Sequence, residues 1–219
     1  MYNEWLSEFC SYDPQRLVGV AFMSLYDIDS SPIYDPLWAT AQELEMPVVL
    51  HEITGGAESR LINFYWEEHR SLDPVIAPHE IQRTLGMMVL SGVFEQFPPL
   101  KVISAENHAD WLPSFLRRLK KAFRDSPSSY ATKLSMDAVD YFHRQVYVTY
   151  MNEPEAIEGR EIICMDNLVF ATDYPHGAST LPNSQDVVDR DFAALPDGER
   201  RKMIHDNIVQ AYGLAPVRA

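Results

Sequence analysis

The chain has 219 residues, 46% of them apolar, with 18 Lys+Arg against 32 Asp+Glu for a net charge of -14. That length supports a sizeable core, and the acidic balance excludes the basic face that nucleic acid or an anionic membrane surface requires. Cys10 and Cys164 are too far apart in sequence to form a CxxC metal or redox motif and read as reduced core residues.

The opening MYNEWLSEFC lacks a basic region followed by an apolar run, so it does not read as a signal peptide. The first apolar run is Arg16 to Leu25 (RLVGVAFMSL), and a helix begins near Asp35. The second run, Pro47 to His51 (PVVLH), is followed by a helical stripe of Ile81, Leu85, Met88 and Gly92 that Pro98 stops. Its most apolar part, Leu85 to Phe94, is too short to span a bilayer. Leu100 to Ala105 (LKVISA) is the third run, and Trp111, Phe115, Arg118 and Leu119 open another helix. Gln145 to Tyr150 (QVYVTY), a short helix over Glu155 to Met165, and Asn167 to Thr172 (NLVFAT) follow. Asp197 is placed to cap a last helix running to Tyr212, with Gly213 as its stop. The runs are nearly continuous rather than alternating, which suits strands buried on both faces of a parallel sheet. Strands alternating with helices give an α/β fold. Periodicity alone leaves a barrel and an open sheet both standing. No GxGxxG or GxxxxGK[ST] follows any strand, so nucleotide-binding versions of the open sheet lose support.

Polar residues gather where the runs end: Ser24 and Asp27 after the first, His51-Glu52 after the second, Glu106-Asn107-His108 after the third and Asp173-Tyr174-Pro175-His176 after the fifth. In a (β/α) barrel these ends form one face, where active-site groups converge. Taken singly, a His after a strand is more often a rim residue, and Asp before Tyr-Pro a turn former. Together they form a metal or acid–base constellation. His69, His79, His143 and His205 lie in helical or loop contexts and are assigned to structure or solvent.

The strings PVVLHE, GVFEQFPPLKVISAEN, ADWLPSFLRRL, NLVFATDYPHGAS and DNIVQAYGL occur here in the order seen in the amidohydrolase-2 family. The sequence therefore resembles that family, which includes aminocarboxymuconate-semialdehyde and resorcylate-type decarboxylases, from about Met1 to Leu214. The resemblance implies one domain over 1–219, a TIM (β/α)8 barrel of the metal-dependent hydrolase type, and one divalent metal, zinc or else manganese. It implies His51 and Asp173 as metal ligands, with Asp173, Glu106 and His108 as catalytic groups. Tyr174, His176 and Trp111 are the candidates for binding substrate. The implied reaction is non-oxidative decarboxylation of a conjugated or aromatic carboxylic acid by a cytoplasmic homodimer. Metal-dependent hydrolysis of a C–N or ester bond is the alternative.

Three departures from the family pattern shape the expectation. The family opens with a strand carrying His-x-His, and no HxH occurs in this sequence. The link from Leu25 to Asp35 is too short for the family's fourth strand and helix. Glu106 stands where many members carry a catalytic His. Five of eight strands are therefore expected, an incomplete barrel, and with two implied ligands little turnover: a truncated, non-catalytic remnant is the third reading.

Overall fold

The computed structural model describes residues 2–14, 16–21, 32–51, 73–126 and 134–214. Four parallel strands, β1 (Val48–His51), β2 (Val102–Ala105), β3 (Val146–Tyr150) and β4 (Leu168–Phe170), pair in chain order in one sheet. Their register aligns Val48 with Val102 and Val146, and Val148 with Leu168. Helical segments separate each strand from the next: α3 (Asp73–Ser91) and α4 (Val93–Gln96), then α5 (Leu112–Asp125) and α6 (Ala138–Gln145), then α7 (Pro154–Glu158) and α8 (Arg160–Ile163). Helices α1 (Tyr2–Cys10) and α2 (Asp35–Glu43) precede the sheet. After β4 come α9 (Ser184–Asp191), α10 (Asp197–Arg201), a π-helical turn over Lys202–Asp206 and α11 (Asn207–Tyr212). No described helix is long and apolar enough to cross a membrane.

Side chains of a strand alternate between faces, and both faces here are apolar. Leu50, Val102, Val146, Val148 and Leu168 join one large cluster with Leu85, Met88, Leu112, Phe115, Leu116, Tyr141 and Phe142 of the flanking helices. Val49, Ile103, Tyr147 and Val169 form a second cluster with Ile208, Ala211 and Tyr212 of α11. Two-sided burial explains why the strand sequences run apolar without a polar alternate.

Four strands stand where five were expected. Over residues 16–21 the first run forms no strand, and its remainder lies outside the described residues. This segment lies against α1 instead: a Cβ on Gly19 would lie 2.8 Å from Leu6 Cγ, so a larger residue would displace the Leu6 side chain. The incomplete barrel is thus an open four-stranded parallel sheet among the described residues.

Other expectations need correction. Gly92 does not continue the Ile81 stripe; it sits at φ 94°, a left-handed conformation that breaks α3 from α4. The segment from Glu155 to Met165 is not one helix but α7 and α8, divided at Gly159 and followed by a 3-10 turn. Asp197 is the first residue of α10, whose cap position is held by Pro196. Gly213 does stop α11, at φ 63°.

A repeated device seals the amino-terminal ends of the strands. Gln145, Asn167 and Asn207 are buried, and each carboxamide N–H2 donates to two carbonyls three residues apart at the entry to the preceding strand. Gln145 Nε2 reaches Phe97 O and Leu100 O at 2.8 and 3.0 Å before β2. Asn167 Nδ2 reaches His143 O and Val146 O at the start of β3. Asn207 Nδ2 reaches Met165 O and Leu168 O at 2.8 and 2.7 Å at the start of β4. Buried carbonyls need donors, and strand entries lack a ladder partner there.

Candidate active site

Because the strands are parallel, their carboxyl ends share one edge of the sheet, and the chain puts its polar residues there. His51 is the last residue of β1 and lies on the same face as Val49, two residues before it. Its partner in register is Ala105, so Glu106 begins just beyond it on the neighbouring strand. His51 Nε2 and Glu106 Oε2 meet at 2.9 Å, both side chains about one-third exposed.

The turn after β2 is held from several sides. Glu106 N donates to Thr149 Oγ1 of β3 at 3.1 Å. Buried Asn107 donates through Nδ2 to Leu50 O at 3.3 Å and Ala105 O at 2.8 Å, stitching β1 to β2 below the His51–Glu106 pair. Trp111 Nε1 donates to Asn107 O at 2.8 Å and His108 O at 3.0 Å, and its ring packs edge-on against Phe115. Trp111 therefore braces the turn. His108 Nδ1 lies 2.5 Å from Glu153 Oε1 in the segment after β3. Beyond β4, Asp173 is 9% exposed and its Oδ2 lies 3.0 Å from His176 Nδ1, whose own side chain is 69% exposed. Tyr174 is 71% exposed.

Three of these residues have an unusual backbone. Glu106, His108 and Asp173 have φ of 59°, 58° and 55°, in the left-handed region. A non-glycine residue pays on the order of 1 kcal/mol or more to stand there, and such positions cluster at functional sites. Glu45 and Cys164 share the conformation away from this edge.

Of the seven residues singled out from sequence, five fall into three polar pairs, one of them completed by a residue outside the seven, and two are flanking aromatics. His51 joins Glu106, Asp173 joins His176, and His108 joins a residue the sequence reading passed over, Glu153. The signal for Glu153 was present: it follows the apolar run of β3 by three residues, as Asp173 follows β4. The helix expected over Glu155 to Met165 began two residues beyond it and left it unread. Tyr150, at the end of β3, is buried, and its phenol is pushed well above the ordinary value by burial and by the carboxylates of Asp191 and Glu153. It stays protonated across the working range.

Imidazole nitrogen from His51 and carboxylate oxygen from Asp173 are donors that a divalent cation takes. Among the described residues, however, no three His, Cys, Asp or Glu side chains come together as a metal-binding group.

Three comparisons bear on this edge. Gamma-resorcylate decarboxylase of Rhodococcus jostii (strain RHA1) is 27% identical over 263 aligned residues, covering 97% of this chain and 75% of that protein. The crystal structure of an amidohydrolase from Mycobacterium avium subsp. paratuberculosis K-10 superposes with a TM-score of 0.70 at 27% identity, covering 84% of this chain and 46% of that one. This chain therefore spans about half the length of that relative. The dihydroxybenzoic acid decarboxylase of Polaromonas sp. JS666, with bound manganese and the inhibitor 2-nitroresorcinol, superposes with a TM-score of 0.63 at 21% identity, over 90% of this chain and 58% of that one. At that identity the likeness shows a shared fold. The profile of the amidohydrolase family matches residues 13–214, and with the parallel sheet and its polar carboxyl edge already in place, the chain belongs to the amidohydrolase family.

Proposed function

We propose that this protein is a carboxy-lyase that removes CO2 non-oxidatively from an aromatic or conjugated carboxylic acid. The observation that carries the reading is the left-handed backbone at Glu106, His108 and Asp173, three acid–base side chains on one sheet edge. The chemical class follows the gamma-resorcylate decarboxylase that the chain resembles over nearly its whole length. In such a reaction the bond from the ring carbon to the carboxylate breaks, its electron pair stays on the carbon, and CO2 leaves. A proton must then reach that carbon from a positioned acid, which is general acid catalysis worth roughly 100- to 10,000-fold.

His108 and Asp173 are the proposed proton-handling groups. His51, held against Glu106, orients the substrate's carboxylate end, and exposed Tyr174 and His176 lie where the rest of the substrate would pass. A divalent cation held in part by His51 and Asp173, zinc or manganese, would supply Lewis-acid polarisation of substrate oxygens.

A second reading is a binding protein of the same family without turnover. It is favoured by the absence, among the described residues, of a three-donor metal group. One experiment decides between them. The purified chain is supplied with manganese or zinc and assayed by CO2 release from 2,6-dihydroxybenzoate and 5-carboxyvanillate. Turnover that His51→Ala and Asp173→Ala abolish, while Cys164→Ser leaves it intact, supports the lyase. Turnover unchanged in His51→Ala and Asp173→Ala refutes the site, and saturable binding without CO2 release supports the second reading.

A further inference from the structure

Glu153 stands at the cap position of α7, where a carboxylate ordinarily accepts from the helix's first N–H groups. Its side chain makes no such bond. It turns instead to the neighbouring strand-end turn, where Oε1 lies 2.5 Å from His108 Nδ1. The carboxylate is 12% exposed against 36% for His108, and its Oε2 is buried without a hydrogen-bond partner among the described residues. Removing a carboxylate from water in this way costs free energy that a partner must offset, and His108 is that partner. The other end of His108 is fixed as well. Its backbone is at φ 58°, and its carbonyl accepts from the Trp111 indole at 3.0 Å. Ring and backbone are each held by a separate element, far more restraint than a solvated surface histidine receives.

We propose that Glu153 is the positioning residue for His108: its carboxylate takes Nδ1 and commits the ring to the Nδ1–H tautomer, so that proton exchange falls to Nε2. The proposal deepens the lyase reading and rests on it only for the role of His108, not for the contact. The carboxylate does not meet substrate. It acts through the ring, as a buried acid does when it fixes the tautomer of a catalytic histidine, where the wrong tautomer lowers turnover by several orders of magnitude.

The test uses the full chain labelled with nitrogen-15. Long-range proton–nitrogen spectra of the imidazoles are recorded above the ordinary histidine pKa, and the His108 signals are identified by their loss in His108→Gln. The unchanged chain is expected to show His108 as Nδ1–H. Glu153→Ala, and the shape-preserving Glu153→Gln whose amide donates to Nδ1, are each expected to show Nε2–H; the second keeps the test valid where the first fails to fold. His108 already Nε2–H in the unchanged chain, or Nδ1–H in both variants, overturns the proposal and leaves only a tie between two turns. The reading beneath it has its own arm. With 2,6-dihydroxybenzoate as probe, Glu153→Gln is expected to lower kcat about 100-fold with KM within twofold. A tautomer that follows Glu153 while His108→Gln turns the probe over normally keeps the positioning contact and overturns the assignment of His108 as proton donor.

Discussion

Asn107 is the place where stability and the candidate site meet most directly. Replacing it with alanine removes the Nδ2 donor that bridges Leu50 O at 3.3 Å and Ala105 O at 2.8 Å. The second bond has ordinary geometry, while the first is at the long end of the range. A typical intramolecular hydrogen bond contributes about 1 kcal/mol net, and leaving a buried acceptor unpaired adds about 1–3 kcal/mol. The long bond counts for less, so Asn107→Ala is expected to cost about 2–3 kcal/mol. With a urea slope of about 2–3 kcal/mol/M for a chain of this size, the midpoint should fall by about 1 M at unchanged slope. Asn107→Asp is the control for shape. Above the ordinary carboxyl range it points a charge at two carbonyl oxygens and should cost more than the alanine; near pH 4 protonation returns an O–H donor and part of the loss should be regained. An Asn107→Ala chain within about 0.5 kcal/mol of the parent, or an aspartate that tracks the alanine at every pH, would refute the argument that the bridging amide holds β1 to β2.

The acid limb of stability should carry a His143 component. Burial holds its imidazole below the ordinary value of 6.5, so the unfolded chain binds the proton more readily. Its contribution is therefore complete above pH 6.5 and lost as pH falls through the lowered folded value, and His143→Gln should flatten that limb in a series of urea titrations. Two of the buried tyrosines, Tyr141 and Tyr150, should differ. Tyr141 OH accepts from Ser135 N at 2.8 Å and donates to Glu95, so Tyr141→Phe should cost about 1–2 kcal/mol. Tyr150 OH is buried with no hydrogen-bond partner among the described residues, so Tyr150→Phe should be neutral within about 0.5 kcal/mol or stabilising by thermal unfolding.

The parallel sheet was legible because two-sided burial leaves an unmistakable mark, the unbroken apolar runs at Val48, Val102, Val146 and Leu168. The first run carries the same mark and yet forms no strand over 16–21, where Val18 and Val20 are exposed; apolar character alone does not guarantee a place in the sheet. Helix α6 escaped notice despite Asp137, whose side chain accepts from Val139 N, since the helix runs straight into β3 with no turn residue between Gln145 and Val146. Helix α9 is short and largely exposed, with Val188 its one buried residue, which leaves little periodicity to read. At the site, His51, Glu106, His108 and Asp173 were visible as acid–base side chains ending apolar runs. Their pairing was not, because contacts such as His108 with Glu153 cross 45 residues of sequence and depend on how two turns are aimed. The left-handed backbone at three of those residues has no signature in residue type, since glycine is what such positions ordinarily select.

The carboxamides of Gln145, Asn167 and Asn207 all reach in one direction, from a later unit back to the entry of the strand before it. This polarity makes the two termini of the sheet unequal to loss. If a strand and its helix are removed from the amino side, every later carboxamide still finds its two carbonyls, and the shortened sheet keeps its lower rim sealed. If the last unit is removed, Met165 O and Leu168 O lose their donor, and the vacancy passes back one step with each further cut. Nested deletions should therefore show opposite tolerance from the two directions, because cuts from the amino side leave the carboxamide bridges of the remaining strands whole.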